Sequence, residues 1–142
     1  MEIIVGSIIV RDNKILMVKE TKEECYGKWS FPAGHLEKNE SIFEGGIRET
    51  FEETGYKIKL KKVFPIIQYT GKTNVILIHF LSEIEEIPIK FDSDEIMETK
   101  WISMEELKEM KEDEVRNYDI KEQVIKNLKN NELYSIDIIK QI

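Results

Sequence analysis

A single cysteine, no long apolar run and a shortage of basic charge set the first exclusions. Cys25 is alone in 142 residues, so no intrachain disulfide can form, and a reducing, cytoplasmic compartment is the natural expectation. A lone thiol without a nearby histidine signature reads as inert. No apolar stretch approaches the roughly 18 residues of a membrane span. Met1–Val5 enters a strand-like pattern without the basic start of a signal peptide. Lys and Arg number 21 against 28 Asp and Glu, a net charge of −7. Such a chain has no general attraction for a nucleic acid polymer or an anionic membrane. If its substrate is a polyphosphate, a divalent cation is the obvious means of offsetting the repulsion.

What is present reads as one globular unit: 41% hydrophobic, 35% charged, without repeat, low-complexity tract or linker. The expectation is a single domain over residues 1–142. Residues 3–10 are β-rich, and Arg11–Lys14 turn into a second strand, Ile15 to Lys19. Trp29–Phe31 reads as a short strand ended by Pro32. Ser41 and Glu44 have capping-box spacing at the start of a helix that Gly55 stops, with Ile42, Phe43, Gly46, Ile47, Thr50, Phe51 and Thr54 as its apolar or small side. Strand pattern returns at Ile58–Val63, Ile66–Ile67 and Val75–Leu81. An acidic loop is expected around Asp92 to Glu98, then a short strand at Lys100–Ile102. Ser103 and Glu106 form a second capping box, and a last helix runs from Asp119 to about Asn131 with Val124, Ile125 and Leu128 inward.

The chemistry concentrates between Gly34 and Tyr56. At about 100° per residue, Glu49, Glu52 and Glu53 share an arc opposite Ile47 and Phe51. Their i, i+3 and i+4 spacing crowds three like charges on one helix, an arrangement that calls for a cation or an unusual partner. Hard oxygen donors without cysteine or a paired histidine select Mg²⁺, with Mn²⁺ as the alternative, over Zn²⁺. Arg48 stands one turn before Glu52 and can brace it. Glu40 is placed for the helix N-terminus or for Arg48, and Phe31–Gly34 could present a backbone carbonyl to the metal. The competing reading of the glutamates alone is a solvated acidic helix face.

The spacing of the whole segment decides between them. Gly34, five residues, Glu40, seven residues, Arg48-Glu49, two residues, Glu52-Glu53, one residue, Gly55 and Tyr56 resembles the Nudix box, G-x5-E-x7-R-E-U-x-E-E-x-G-U, with U a bulky aliphatic residue. Every fixed letter is present, a coincidence on the order of one in a million by composition. Thr50 and Tyr56 depart from the aliphatic positions. The resemblance implies an α/β/α sandwich with a mixed sheet between helices, and a hydrolase acting on phosphoanhydride bonds. It implies Glu49, Glu52, Glu53 and the Gly34 carbonyl as Mg²⁺ ligands, Arg48 and Glu40 as their orienting residues, and Glu49 or Glu53 as the group that helps activate water.

A narrower likeness, carried by Trp29, Pro32–Glu37, Asp92–Asp94, Trp101–Ser103 and Glu106, is similar to the NudJ-type phosphatases of that family. It implies small nucleoside di- or triphosphates or related pyrophosphates as substrates, with ADP-ribose or another linked nucleoside diphosphate as an alternative. A homodimer would be in keeping with the family. A nucleotide sensor on the same fold is the non-enzymatic alternative, and the intact acidic set argues against it.

Weaker candidates lie around the box. His35 either meets a phosphate, serves as an acid or holds its loop. Phe31 and Tyr69 are candidates for substrate stacking, with Tyr26 and Trp29 beside them. Asp94, with Asp92 and Glu95, is a loop candidate for a further ligand or base. His79 reads as a structural histidine. Gly45 either serves close packing or leaves room for a phosphate.

Overall fold

Burial along the first strand sets the architecture. In β1 (Glu2–Arg11), Val5 and Ile9 alternate with Ile8, and all three are fully buried, as in a strand covered on both faces. Asp12 and Asn13 then turn the chain at φ 50° and 61°, the left-handed geometry of a two-residue hairpin, into β2 (Lys14–Glu20). The computed structural model describes residues 1–87 and 96–142; most of the expected acidic loop lies outside them.

Two short strands, β3 (Trp29–Ser30) and β4 (Ala33–His35), flank Pro32. Helix α1 (Ile42–Thr54) starts where the Ser41 hydroxyl accepts from the Glu44 N–H at 3.0 Å and stops at Gly55, φ 74°. There follow β5 (Lys57–Val63), β6 (Ile67–Tyr69), β7 (Val75–Glu86), β8 (Ile96–Ser103), α2 (Met104–Glu109), α3 (Tyr118–Lys129) and β9 (Tyr134–Ser135). The capping box is complete at Ser103 and Glu106.

The strand path is β3-β2-β1-β7-β5-β9, with β4 on β1, β6 on β7 and β8 on β2. β1 and β7 run parallel from Glu2↔Val75 to Ile9↔Ser82, while β1 pairs antiparallel with β2 and β4, so the sheet is mixed. On one face Ile42, Phe43 and Ile47 of α1 pack on Val5, Phe80, Ile9 and Ile58. On the other, Leu107, Val124 and Ile125 of α2 and α3 pack on Ile8, Ile15 and Met17. The result is the expected α/β/α sandwich. Among the described residues no helix is long and apolar enough to cross a membrane.

Two local expectations are corrected, and one strand lies outside them. Phe51 is half exposed rather than core, and α1 meets the sheet through Gly46, Thr50 and Thr54. The helix lies too close for a large side chain there: a Cβ on Gly46 would stand 3.1 Å from the Phe80 ring. Thr50 and Thr54 stay satisfied in that dry contact by donating to the carbonyls of Gly46 and Thr50, at 2.8 and 2.6 Å. β4 carries no sequence signal, since three residues after a proline are too few for alternation. Ile96–Glu98 belong to β8, held by pairing with Lys19 and Glu20 of β2, not to the loop.

His79 on β7 is buried edge-on to Phe31, with ring centroids 5.9 Å apart, and burial lowers its pKa to about 4. In the unfolded chain a histidine titrates near pH 6.5. Between those values the unfolded state binds more protons, so stability is complete above about pH 6.5 and is lost as pH falls toward 4. Through this group the native chain should lose about 2 kcal/mol on going from about pH 7.5 to about pH 5. His79→Phe should show a smaller loss in urea unfolding at the two pH values.

Candidate active site

Arg48 on the second turn of α1 gathers the site. Its Nε and Nη2 donate to both oxygens of Glu40, at 2.5 and 3.0 Å, the forked pairing a guanidinium favours. Nη1 donates to Glu49 at 2.9 Å and to Glu52 at 3.1 Å, and Nη2 reaches the His35 carbonyl at 3.0 Å. Glu37 lies at 3.5 Å. Hydrogen bonding to Arg48 holds the Glu40 carboxyl below the usual range, and the same contact raises the already high pKa of Arg48. Of the two roles open to Glu40, bracing Arg48 is the one the structure displays. The Glu40 carboxylate also accepts from the Glu37 N–H at 3.1 Å, which fixes the loop ahead of the helix.

The three helix carboxylates separate by environment. Glu52 is exposed apart from Arg48. Glu49 and Glu53 are buried, at 9% and 3% exposure, and both face β4. Glu53 accepts from the Ala33 N–H at 3.0 Å. The Glu49 carboxylate occupies the space where a Cβ of residue 34 would stand, so Gly34 is required for close approach. β4 is in turn pinned to β1 through Val5↔Gly34 and Gly6↔Ala33. Desolvation first, and then the charge of Glu20, push the Glu53 pKa up to about 9, with Glu49 adding to the rise.

Among the described residues no three acidic, histidine or cysteine side chains form a ready-made cation cage. Glu49, Glu52 and Glu53 are instead turned onto Arg48 and Ala33. The donor set nevertheless fits a hard divalent cation: the groups are all oxygen, and a buried carboxylate crowded by two others is destabilised until positive charge arrives.

Phe31 (7% exposed), Tyr69 and His79 line a cleft that also carries Gly34 and His35. Tyr69, Asn117 and Ile120 continue from it into a broader groove beside Tyr118. The structure thus brings Phe31, Tyr69, Gly34 and His35 together. The His35 ring lies 3.0 Å from Glu2 on β1, a side-chain contact added to the pairing of β4 with β1. Tyr26 is exposed, and Asp94 lies outside the described residues. Gly45 makes no room for a phosphate: a Cβ there would meet Leu36, Glu40 and Val5 at 2.7–2.9 Å, so packing accounts for it. Cys25 is buried, and burial pushes its thiol pKa up, opposite to an activated nucleophile.

Sequence reasoning missed Glu20 and Arg116. Glu20 is 2% exposed on the cleft wall and Arg116 stands 3.5 Å from it. A signal existed for Glu20, which falls in phase with the buried Leu16 and Val18 of β2. Arg116 had none, because the segment before α3 has no periodicity.

Comparison with known proteins shows the family and the fold. The NUDIX domain family matches residues 2–124. Phosphatase NudJ of Escherichia coli K12 is 33% identical over 108 residues, covering 72% of this chain and 69% of that protein. A nudix hydrolase of Caenorhabditis elegans is 32% identical over 111 residues, 74% of this chain, but the chain spans only 30% of its length. The solved structure of a NUDIX hydrolase from Nitrosomonas europaea superimposes with a TM-score of 0.90 at 27% identity, covering 99% and 97% of the two chains.

Replacing Arg48 tests its place at the centre. Arg48→Ala should cost roughly 2–3 kcal/mol, since half-buried carboxylates lose their shared donor. Arg48→Lys should recover less than half of that, because one ammonium cannot reproduce the fork. Urea unfolding of the three proteins measures both.

Proposed function

The chain belongs to the Nudix family, and from that premise we propose that it is a divalent-metal-dependent hydrolase of phosphoanhydride bonds in small nucleoside di- or triphosphates or related pyrophosphates. The observation that carries the reading is the convergence of two buried carboxylates, Glu49 and Glu53, on the Ala33–Gly34 backbone at the mouth of the cleft. A fold does not by itself need that arrangement, because buried like charges weaken it. The similarity to an enzyme named as a phosphatase supports small phosphorylated substrates. ADP-ribose and other linked nucleoside diphosphates are the second class to test.

The residues that would hold the cation, Mg²⁺ or in its place Mn²⁺, are Glu49, Glu52, Glu53 and the Gly34 carbonyl. Bound there, it would neutralise phosphate charge and lower the pKa of water. The chain's own contribution is positional. Arg48 fixes the Glu49 and Glu52 carboxylates, Glu40 fixes Arg48, and β4 fixes Glu53 through Ala33. Either Glu49 or Glu53 takes the proton from the attacking water. Phe31 and Tyr69 are the cleft-lining rings available to the organic part of the substrate.

The test is a panel of nucleoside di- and triphosphates, ADP-ribose and thiamine pyrophosphate, with orthophosphate and pyrophosphate assayed separately. Turnover should require Mg²⁺, stop with EDTA, and fall by about 10²-fold or more in Glu53→Gln. That variant should also melt higher than the native protein at neutral pH, because burial beside Glu20 and Glu49 obliges the Glu53 carboxyl to take up a proton on folding, a cost that Gln does not carry. Full activity in Glu53→Gln would overturn the assignment. Gly34→Ala should lose activity as well, since its methyl displaces the Glu49 carboxylate.

A further inference from the structure

Glu20 ends β2 with its carboxylate divided between two environments. Oε1 accepts from the Ser30 hydroxyl at 2.8 Å and lies 3.5 Å from Arg116 Nη1. Oε2 is buried and has no hydrogen-bond partner. A carboxylate oxygen sealed from water without a donor is among the most costly groups a fold can bury. Its setting adds to the cost. Glu20 shares a cleft wall with Ala33 and Gly34, the two residues that receive the Glu53 and Glu49 carboxylates.

The support behind Glu20 is built from several elements. The segment before α3 is tied to β3 by two backbone hydrogen bonds, Trp29 N–H to the Glu114 carbonyl and Arg116 N–H to the Trp29 carbonyl, both 2.9 Å. This tie delivers Arg116 to one oxygen of Glu20 while Ser30, from the same strand, holds that oxygen too. One oxygen is oriented and the other is left without a donor, as for a metal ligand whose second oxygen is fixed by its surroundings.

We propose that Glu20 is a further oxygen ligand of the divalent cation in this site, contributed by β2 and oriented by Ser30 and Arg116. The inference rests on the cation-dependent reading above and enlarges the ligand set beyond the box. The opposing account is structural: Glu20 anchors Arg116, and with it the segment before α3. The two accounts differ in what neutralising Glu20 does. Glu20→Gln keeps the shape and the contact with Ser30 while removing the charge. A ligand so altered binds the ion less well and relieves the metal-free fold of a buried negative charge. An anchor so altered weakens the fold whether or not metal is present.

Mn²⁺ titration, with free ion followed by electron paramagnetic resonance, is run on the native protein, Glu20→Gln and Glu53→Gln, and melting temperatures are taken in EDTA and in Mn²⁺. The expected result is Mn²⁺ affinity lower by about ten-fold or more in Glu20→Gln, a smaller Mn²⁺-induced rise in melting temperature, and no loss of melting temperature in EDTA. Native-like Mn²⁺ binding by Glu20→Gln alongside weakened binding by Glu53→Gln overturns the role of Glu20 and leaves the cation reading standing. Absence of Mn²⁺ binding by the native protein overturns both. Should Glu20→Gln not fold, Ser30→Ala releases Oε1 without touching the charge: weaker Mn²⁺ binding in a folded variant supports the proposal, and unchanged binding overturns it.

Discussion

The candidate site depends on one guanidinium. Arg48 reaches the two carboxylates beside it on the helix, the loop carboxylate of Glu40 and the carbonyl of His35. Without a shared cation Glu49 and Glu52 would repel each other along the helix, and the loop from His35 to Glu40 would have no tie to α1 through that side chain. A planar, permanently charged group with five donors can satisfy all of these at once. Its position on the second turn follows from the box spacing, so the local order of the loop and of the helix carboxylates is written into one short segment.

Around that centre the fold concentrates destabilising features instead of dispersing them. Glu20, Glu49 and Glu53 are all buried, and the apolar clusters on both faces of the sheet supply the stability that tolerates them. Such clustering is expected where function, not stability, selects the residues. The contrast with Lys121 is instructive: it too is fully buried, but its ammonium donates to the Met110 carbonyl at 2.8 Å just beyond α2 and lies 4.4 Å from the Tyr118 ring. That charge is compensated within the fold.

The parts of the molecule legible in the sequence are those with spacing. The box announced Arg48, Glu49, Glu52, Glu53 and Gly34 together, because chemistry fixes their separations along one helix and its preceding loop. The β-rich runs of β1 and β2, both serine caps and the Gly55 stop were legible because each rests on local sequence. Phe51 was misread because a helical stripe shows which residues share a side, not which side the sheet approaches; close packing chose Gly46 and Thr50. β4 was missed because it exists only by pairing with β1. Glu20 and Arg116 come from segments 96 residues apart, and no local pattern links them. The Nudix relationship carried the inference to hydrolysis, and the organic part of the substrate stayed open because the cleft is lined from β6, β7 and the approach to α3, outside the box.

The parallel pairing of β1 with β7 has a consequence for how the chain reaches its native state. Their partners lie 73 residues apart, and β1 also carries the β4 segment that faces Glu49 and Glu53. β1 therefore waits for β7 before its central pairing can close. Contacts of such long sequence separation slow folding, because the intervening loop must be ordered first. During that interval the apolar residues of β1 present an unpaired edge. The same central strand that gives the mature sheet its continuity thus makes the nascent chain sensitive to the pace of synthesis and to chaperone supply.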